Sequence, residues 1–142
     1  MTRETEKTEF LNRIIEMPDD DTVRLVYADW LDENGEPERA EFIRAEIRAA
    51  TDEDSYEHRQ RGRELREQHC EEWVAEAGCN VPGVARARFR HGFIEEVHVS
   101  ATAFLRHGAT WASRTPVRTL TLTAVAGRGG AVAACPHRVQ SP

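Results

Sequence analysis

Residues 21–35 read Asp-Thr-Val-Arg-Leu-Val-Tyr-Ala-Asp-Trp-Leu-Asp-Glu-Asn-Gly, a run with few solutions other than a short amphipathic helix closed by a turn. Val23, Val26, Tyr27, Trp30 and Leu31 fall at i, i+3, i+4, i+7 and i+8, the wide apolar stripe of a helix facing a core. Asp19-Asp20-Asp21-Thr22 precede it; their side-chain oxygens can accept from the free N–H groups of a helix start and complement its dipole. Asn34-Gly35 ends it, with Gly35 as the left-handed residue just past the last turn. Pro37 suits the first turn of a following helix, whose stripe is Ala40, Ile43 and Ile47 with Phe42 beside it. The expectation is two helices joined by a tight turn.

Helical patterning continues on both sides. Phe10, Leu11, Ile14 and Ile15 predict a helix over roughly residues 6–16, ended by Pro18. After a polar break at 51–54, a long charged helix runs from about Tyr56 to Ala77, anchored by Leu65, Trp73 and Val74 and terminated at Gly78. Gly62 weakens its first turns.

The texture changes at Val81-Pro82-Gly83. Ala87, Phe89 and His91 alternate with Arg88 and Arg90, and Val97 and Val99 alternate with Glu96, His98 and Ser100. Period-two alternation predicts strands. Phe104, Leu105 and Trp111 predict a helix, and Pro116 to Leu122 a further strand. A loose second copy begins near Gly127, with Pro116 and Pro136 spaced by 20 residues, inside the leucine-rich-repeat range. Leu120-Thr121-Leu122 is similar to the L-x-L core of such a repeat. The fold class expected is therefore α+β: a bundle of about four helices over residues 1–80, then a short strand-helix-strand, leucine-rich-repeat-like unit over 81–142. Residues 137–142 lack the next L-x-L. Because solenoids bury their core by stacking, the expectation is either an unusually short array or one cut short.

The run Arg24-Leu25-Val26-Tyr27-Ala28-Asp29-Trp30-Leu31, followed by Glu41-Phe42-Ile43-Arg44, resembles the hallmark of the bacterial repeat-companion domain. The resemblance covers roughly residues 6–50, and the segment over 86–136 is similar to the leucine-rich-repeat-like part that often follows. The chain departs from the family in having Glu38-Arg39-Ala40-Glu41 where a Gly more often precedes the Glu. The resemblance implies a module that accompanies repeat arrays, and no enzymatic activity.

Charge excludes some functions. Residues 1–80 carry 11 basic and 23 acidic side chains, whereas 81–142 carry 8 arginines and 2 glutamates, so the halves bear −12 and +6. An acidic helical half repels a phosphate backbone. The candidate recognition helix of a helix-turn-helix, residues 38–46, alternates Arg with Glu instead of presenting net positive charge; no nucleic acid is expected as a partner. Cys70, Cys79 and Cys135 form no CxxC pair, and reduced thiols of a cytoplasmic protein are expected. No apolar stretch approaches the ~20 residues of a membrane span, and no apolar leader follows Met1. Neither export nor membrane insertion is expected.

The residues that could carry chemistry each have a plainer reading. Asp29 and Glu33, at i and i+4, could form the acid–base pair of a hydrolase, but pairing of Asp29 with Arg24 or Arg44 explains it structurally. Tyr27 and Trp30 are expected in the core, with the Tyr27 hydroxyl on a polar partner. His69, His91, His98, His107 and His137, with the three cysteines, lack zinc-ligand spacing. Gly127-Arg128-Gly129-Gly130 lacks the phosphate-cradling patterns. No catalytic, cofactor-binding or metal residue is assigned and no cofactor is expected. Leu25, Val26, Tyr27, Trp30, Leu31, Phe42 and Ile43 are expected to carry the fold. The function expected is a non-enzymatic protein–protein interaction or adaptor module for a protein partner the sequence does not name. The alternative is a purely structural cap on a truncated array. Pathway and oligomeric state stay open.

Overall fold

A computed structural model describes residues 2–123. The fold is α+β, with four helices followed by two strands, a fifth helix and a third strand: α1 Arg3–Glu16, α2 Asp21–Glu33, α3 Pro37–Thr51, α4 Tyr56–Glu76, β1 Val84–Arg90, β2 Phe93–Ser100, α5 Ala101–Arg114 and β3 Thr119–Thr123. The loose second copy beginning near Gly127 lies outside the described residues.

Local chemistry sets the helix ends. The Thr2 side chain accepts from the Thr5 N–H, which starts α1 at Arg3, before the expected start near residue 6. Asp20 caps α2 by accepting from the Thr22 N–H at 3.0 Å. At the far end of α2, Gly35 has φ +85° and the Glu36 N–H reaches back to the Leu31 carbonyl at 2.9 Å. This Schellman closure reverses the chain within two residues, and Pro37 then opens α3. Ser100 ends β2 and caps α5, its hydroxyl accepting from the Ala103 N–H at 3.2 Å.

The strands form one sheet in the order β1-β2-β3. β1 and β2 are an antiparallel hairpin, while β2 and β3 run parallel with α5 as the crossover between them. Val97 faces Ala87 on one side and Leu120 on the other. Val84, Ala87, Ile94, Val97, Val99, Ala103 and Trp111 pack with Cys70, Val74 and Ala77 of the α4 end, so α4 covers the sheet. Leu65 and Trp73 of the same helix pack with Phe42 of α3, against which Phe89 closes.

The core of α1, α2 and α3 holds Ile14, Tyr27, Ala28, Leu31, Ala40, Ile43 and Ile47, and β2 supplies one more member, Phe93. Residues from beyond position 80 thus complete the packing of the helices before it.

The inward face of α2 keeps most of the expected stripe, with Tyr27 and Leu31 buried and Val23 and Trp30 packed against the core, and departs from it at Val26. Its buried residues are Arg24, Tyr27, Ala28 and Leu31, whereas Val26 is 48 % exposed and Leu25 36 %. α2 is rotated so that Ala28 meets the face carrying Ala40 and Arg24 points at the hairpin. Tyr27 is fully buried but, contrary to expectation, its hydroxyl has no hydrogen-bond partner among the described residues. Burial pushes that phenol far above its ordinary range. Among the described residues Cys79 is free and buried, and Cys135 lies outside them. No helix among the described residues is long and apolar enough to cross a membrane.

Candidate functional site

The β1–β2 turn is the point on which the charged residues of α2 and α3 converge. His91 and Gly92 both have positive φ, +49° and +88°, as a two-residue hairpin turn with the native strand twist requires. A Cβ on Gly92 would lie 2.6 Å from Ile43 Cγ1 and 2.9 Å from Ile43 Cα. The turn therefore sits directly on the α3 backbone.

Arg24 has no exposed surface. Its Nη1 donates to the Arg90 and His91 carbonyls at 3.0 and 3.1 Å, and its Nη2 to the Pro18 carbonyl at 2.7 Å and to Glu95 Oε2 at 2.8 Å. Arg39, also buried, donates to the Gly92 carbonyl at 2.6 Å. The guanidinium groups of both arginines lie over the Phe93 ring, at 5.4 and 5.1 Å. Glu46 Oε1 accepts from the Gly92 N–H at 2.6 Å, and the His91 ring meets Asp21 at 2.8 Å. Desolvation holds the Glu46 carboxyl above its ordinary range. Three successive carbonyls and one N–H of the turn are thus taken up by side chains from the helices. A buried cation is tolerable only with this degree of satisfaction.

The carboxylates that sequence reasoning weighed for acid–base work are placed differently. Asp29 is exposed and pairs with Arg44 at 2.6 Å, and the same guanidinium reaches Asp32 at 2.6 Å. Glu33 is exposed at the end of α2. Of the two suggested partners, Arg44 holds Asp29, while Arg24 is committed to the interior. The histidines are dispersed: His69 stacks on Trp73 and pairs with Glu38, His98 lies by Glu96, and His107 stacks on Trp111. Among the described residues, no group of three or more His, Cys, Asp or Glu side chains is arranged to hold a metal.

Two clefts flank the clamped turn. One, of about 480 Å³, runs past Arg88, Arg90, Glu95, Glu96 and Arg118. Its cations are answered within the fold: Arg88 by Glu96, Arg90 by Glu95, and Arg118 by Asp19. The other, of about 450 Å³, lies between the end of α3, the first half of α4 and the turn, with Ala49, Ala50 and Gly62 among its lining. Arg59, Arg63, Arg66 and His58 line it from α4, facing Glu46 and His91. The sequence reading passed over this cleft. Its signal was the i, i+4, i+7 spacing of Arg59, Arg63 and Arg66 beside Gly62 in an otherwise acidic half.

The chain matches no protein family, no curated protein and no solved structure with which it was compared.

Proposed function

We propose that this chain is a non-enzymatic protein–protein interaction module of the repeat-companion type, acting in the bacterial cytoplasm and docking a protein partner on the outer face of α2. The observation that carries this reading is the exposure of Leu25 and Val26. They are adjacent apolar side chains within the run that resembles the family hallmark, yet they do not pack in the core. Asp29 and Asp32 with Arg44 form a charged border on the same helix and its neighbour. An apolar surface rimmed by charge is the usual form of a docking site. The reading against catalysis rests on the same residues, since Asp29 is a surface carboxylate with a cation as its partner.

A second reading has its own observation. Helices at one end of a sheet that continues in parallel through β2, α5 and β3 have the layout of a cap on a leucine-rich-repeat-like stack. On that reading the helical unit serves folding, and binding belongs to the repeat part.

The test uses the full chain and a Leu25→Ser/Val26→Ser variant as parallel baits in lysate, with thermal unfolding of both measured first. A protein retained by the parent chain and lost from an equally stable variant supports docking on α2. Equal retention by both baits moves binding off this face and favours the cap, and defined turnover by the parent chain would overturn the non-enzymatic reading.

A further inference from the structure

We propose that the cleft between α3, α4 and the hairpin turn is a binding site for a phosphate monoester carried on a small molecule. The inference stands on different residues from the α2 docking face.

The first observation is unanswered charge. Arg63 and Arg66 enter no ion pair among the described residues, and the polar contact of Arg59 is to the neutral Glu53 carbonyl at 3.2 Å. By contrast, Arg61, on another side of the same helix, is held by Glu41 and Glu64, and Arg44 by two aspartates. The two other charged groups at the turn are already matched, Arg90 with Glu95 and His91 with Asp21. What remains in the cleft is three guanidinium groups against the single carboxylate of Glu46. That leaves two positive charges, the complement of a phosphate dianion, in a half of the chain whose net charge is −12.

The second observation is geometry. Arg59, Arg63 and Arg66 share one stripe of α4, so three planar forks project along one wall. Guanidinium forks bind phosphate oxygens in pairs, with more directional hold than ammonium groups give. Glu46 offsets one guanidinium of the three, and its Oε1 is held by the Gly92 N–H. The cleft is also larger than a lone oxyanion fills. Ala49, Ala50 and Gly62 supply small side chains along which an organic group can lie, and a volume of this order is typical of small-molecule sites. The neighbouring cleft has similar volume but paired cations, so size alone does not single out the site.

The experiment is calorimetric titration of the full chain, in a phosphate-free buffer of low salt, with phenyl phosphate, inorganic phosphate and benzoate. Phenyl phosphate is expected to bind one to one, inorganic phosphate to compete more weakly, and benzoate to bind weakest. Arg63→Gln and Arg66→Gln should each weaken phenyl phosphate by roughly tenfold to a hundredfold, the worth of a charged hydrogen bond. Arg13→Gln, on the exposed side of α1, should leave it unchanged, and circular dichroism of each variant establishes that it is folded. Affinity that is absent, or indifferent to Arg63→Gln and Arg66→Gln in folded protein, overturns the site. Tighter binding of a short oligonucleotide than of phenyl phosphate overturns the small-molecule assignment in favour of an extended polyanion.

Discussion

The hairpin turn and the α5–β3 segment are held in different ways. At the hairpin end, buried Arg24 and Arg39 and the Glu46 carboxylate bind consecutive backbone groups of the turn. In the α5–β3 segment the buried attachments are the Trp111 indole N–H on the Gly78 carbonyl at 2.7 Å and the Thr115 hydroxyl on the Ile94 carbonyl at 2.6 Å, with apolar packing around them, while the Arg118–Asp19 ion pair is exposed. There Leu105 is 83 % exposed and Leu122 57 %. Directional charged bonds dictate one placement of the hairpin on the helices, because any displacement strands a buried charge. Apolar contact in the α5–β3 segment is tolerant of geometry and leaves side chains able to accept further packing.

That contrast can be broken most directly at Arg24. Arg24→Ala should cost about 3–5 kcal/mol, since buried Glu95 then loses its closest cation and keeps only the longer contacts to Arg90 at 3.4 Å and Arg118 at 3.9 Å; urea unfolding followed by tryptophan fluorescence measures it. Combining Arg24→Met with Glu95→Leu should recover much of the loss. A double variant as unstable as Arg24→Ala would show instead that the bonds to the Pro18, Arg90 and His91 carbonyls carry the stability.

Gly92→Ala tests the same end through sterics. The left-handed backbone alone accounts for roughly 1–3 kcal/mol, and the overlap with Ile43 adds to it. A thermal midpoint equal to that of the parent chain would mean that the turn is not seated on α3.

Glu46 sharpens the comparison through pH. Its folded carboxyl is raised by burial, so its contribution to stability is present below the ordinary carboxylate range and is lost as pH rises through the raised value. Glu46→Gln keeps an acceptor for the Gly92 N–H without the charge. The variant should therefore gain stability relative to the parent as pH rises above the ordinary carboxylate range, as read from denaturation midpoints. A gap that narrows with rising pH would mean that the cations nearby, Arg66 and Arg39 among them, outweigh burial.

The smallest effect belongs to the α5–β3 segment. Leu105→Ser should shift stability by no more than ~0.5 kcal/mol, as exposed positions do. A loss of 2 kcal/mol in analytical denaturation would place Leu105 in a contact that its exposure does not predict.

Much of the architecture was legible in the chain, because the features concerned are short-range. The Asp20 cap, the Gly35 reversal, Pro37 at a helix start and the alternation through Val97 and Val99 each depend on a few neighbouring residues. The polar clamp was not legible. Arg24 looked like one more surface arginine among 18, and the sequence reading placed it only as a possible partner of Asp29. Its actual partners Arg90, His91 and Glu95 are 66, 67 and 71 positions away. The cleft failed to register for the same reason. Three arginines spaced along α4 are ordinary until the hairpin turn and the end of α3 close around them.

What the sequence by itself determined is the order and extent of the helices and strands and the change of class near residue 81, since backbone geometry, capping and hydrophobic period are set within one or two turns of chain. What only the tertiary structure decided is how far round α2 the buried face extends. Apolar count favoured a stripe through Val23, Val26, Tyr27, Trp30 and Leu31. The fold kept Tyr27 and Leu31 inside but also turned Arg24 and Ala28 inward, because a buried guanidinium is stable where distant carbonyls and a carboxylate satisfy it. That rotation is also what left Leu25 and Val26 facing outward.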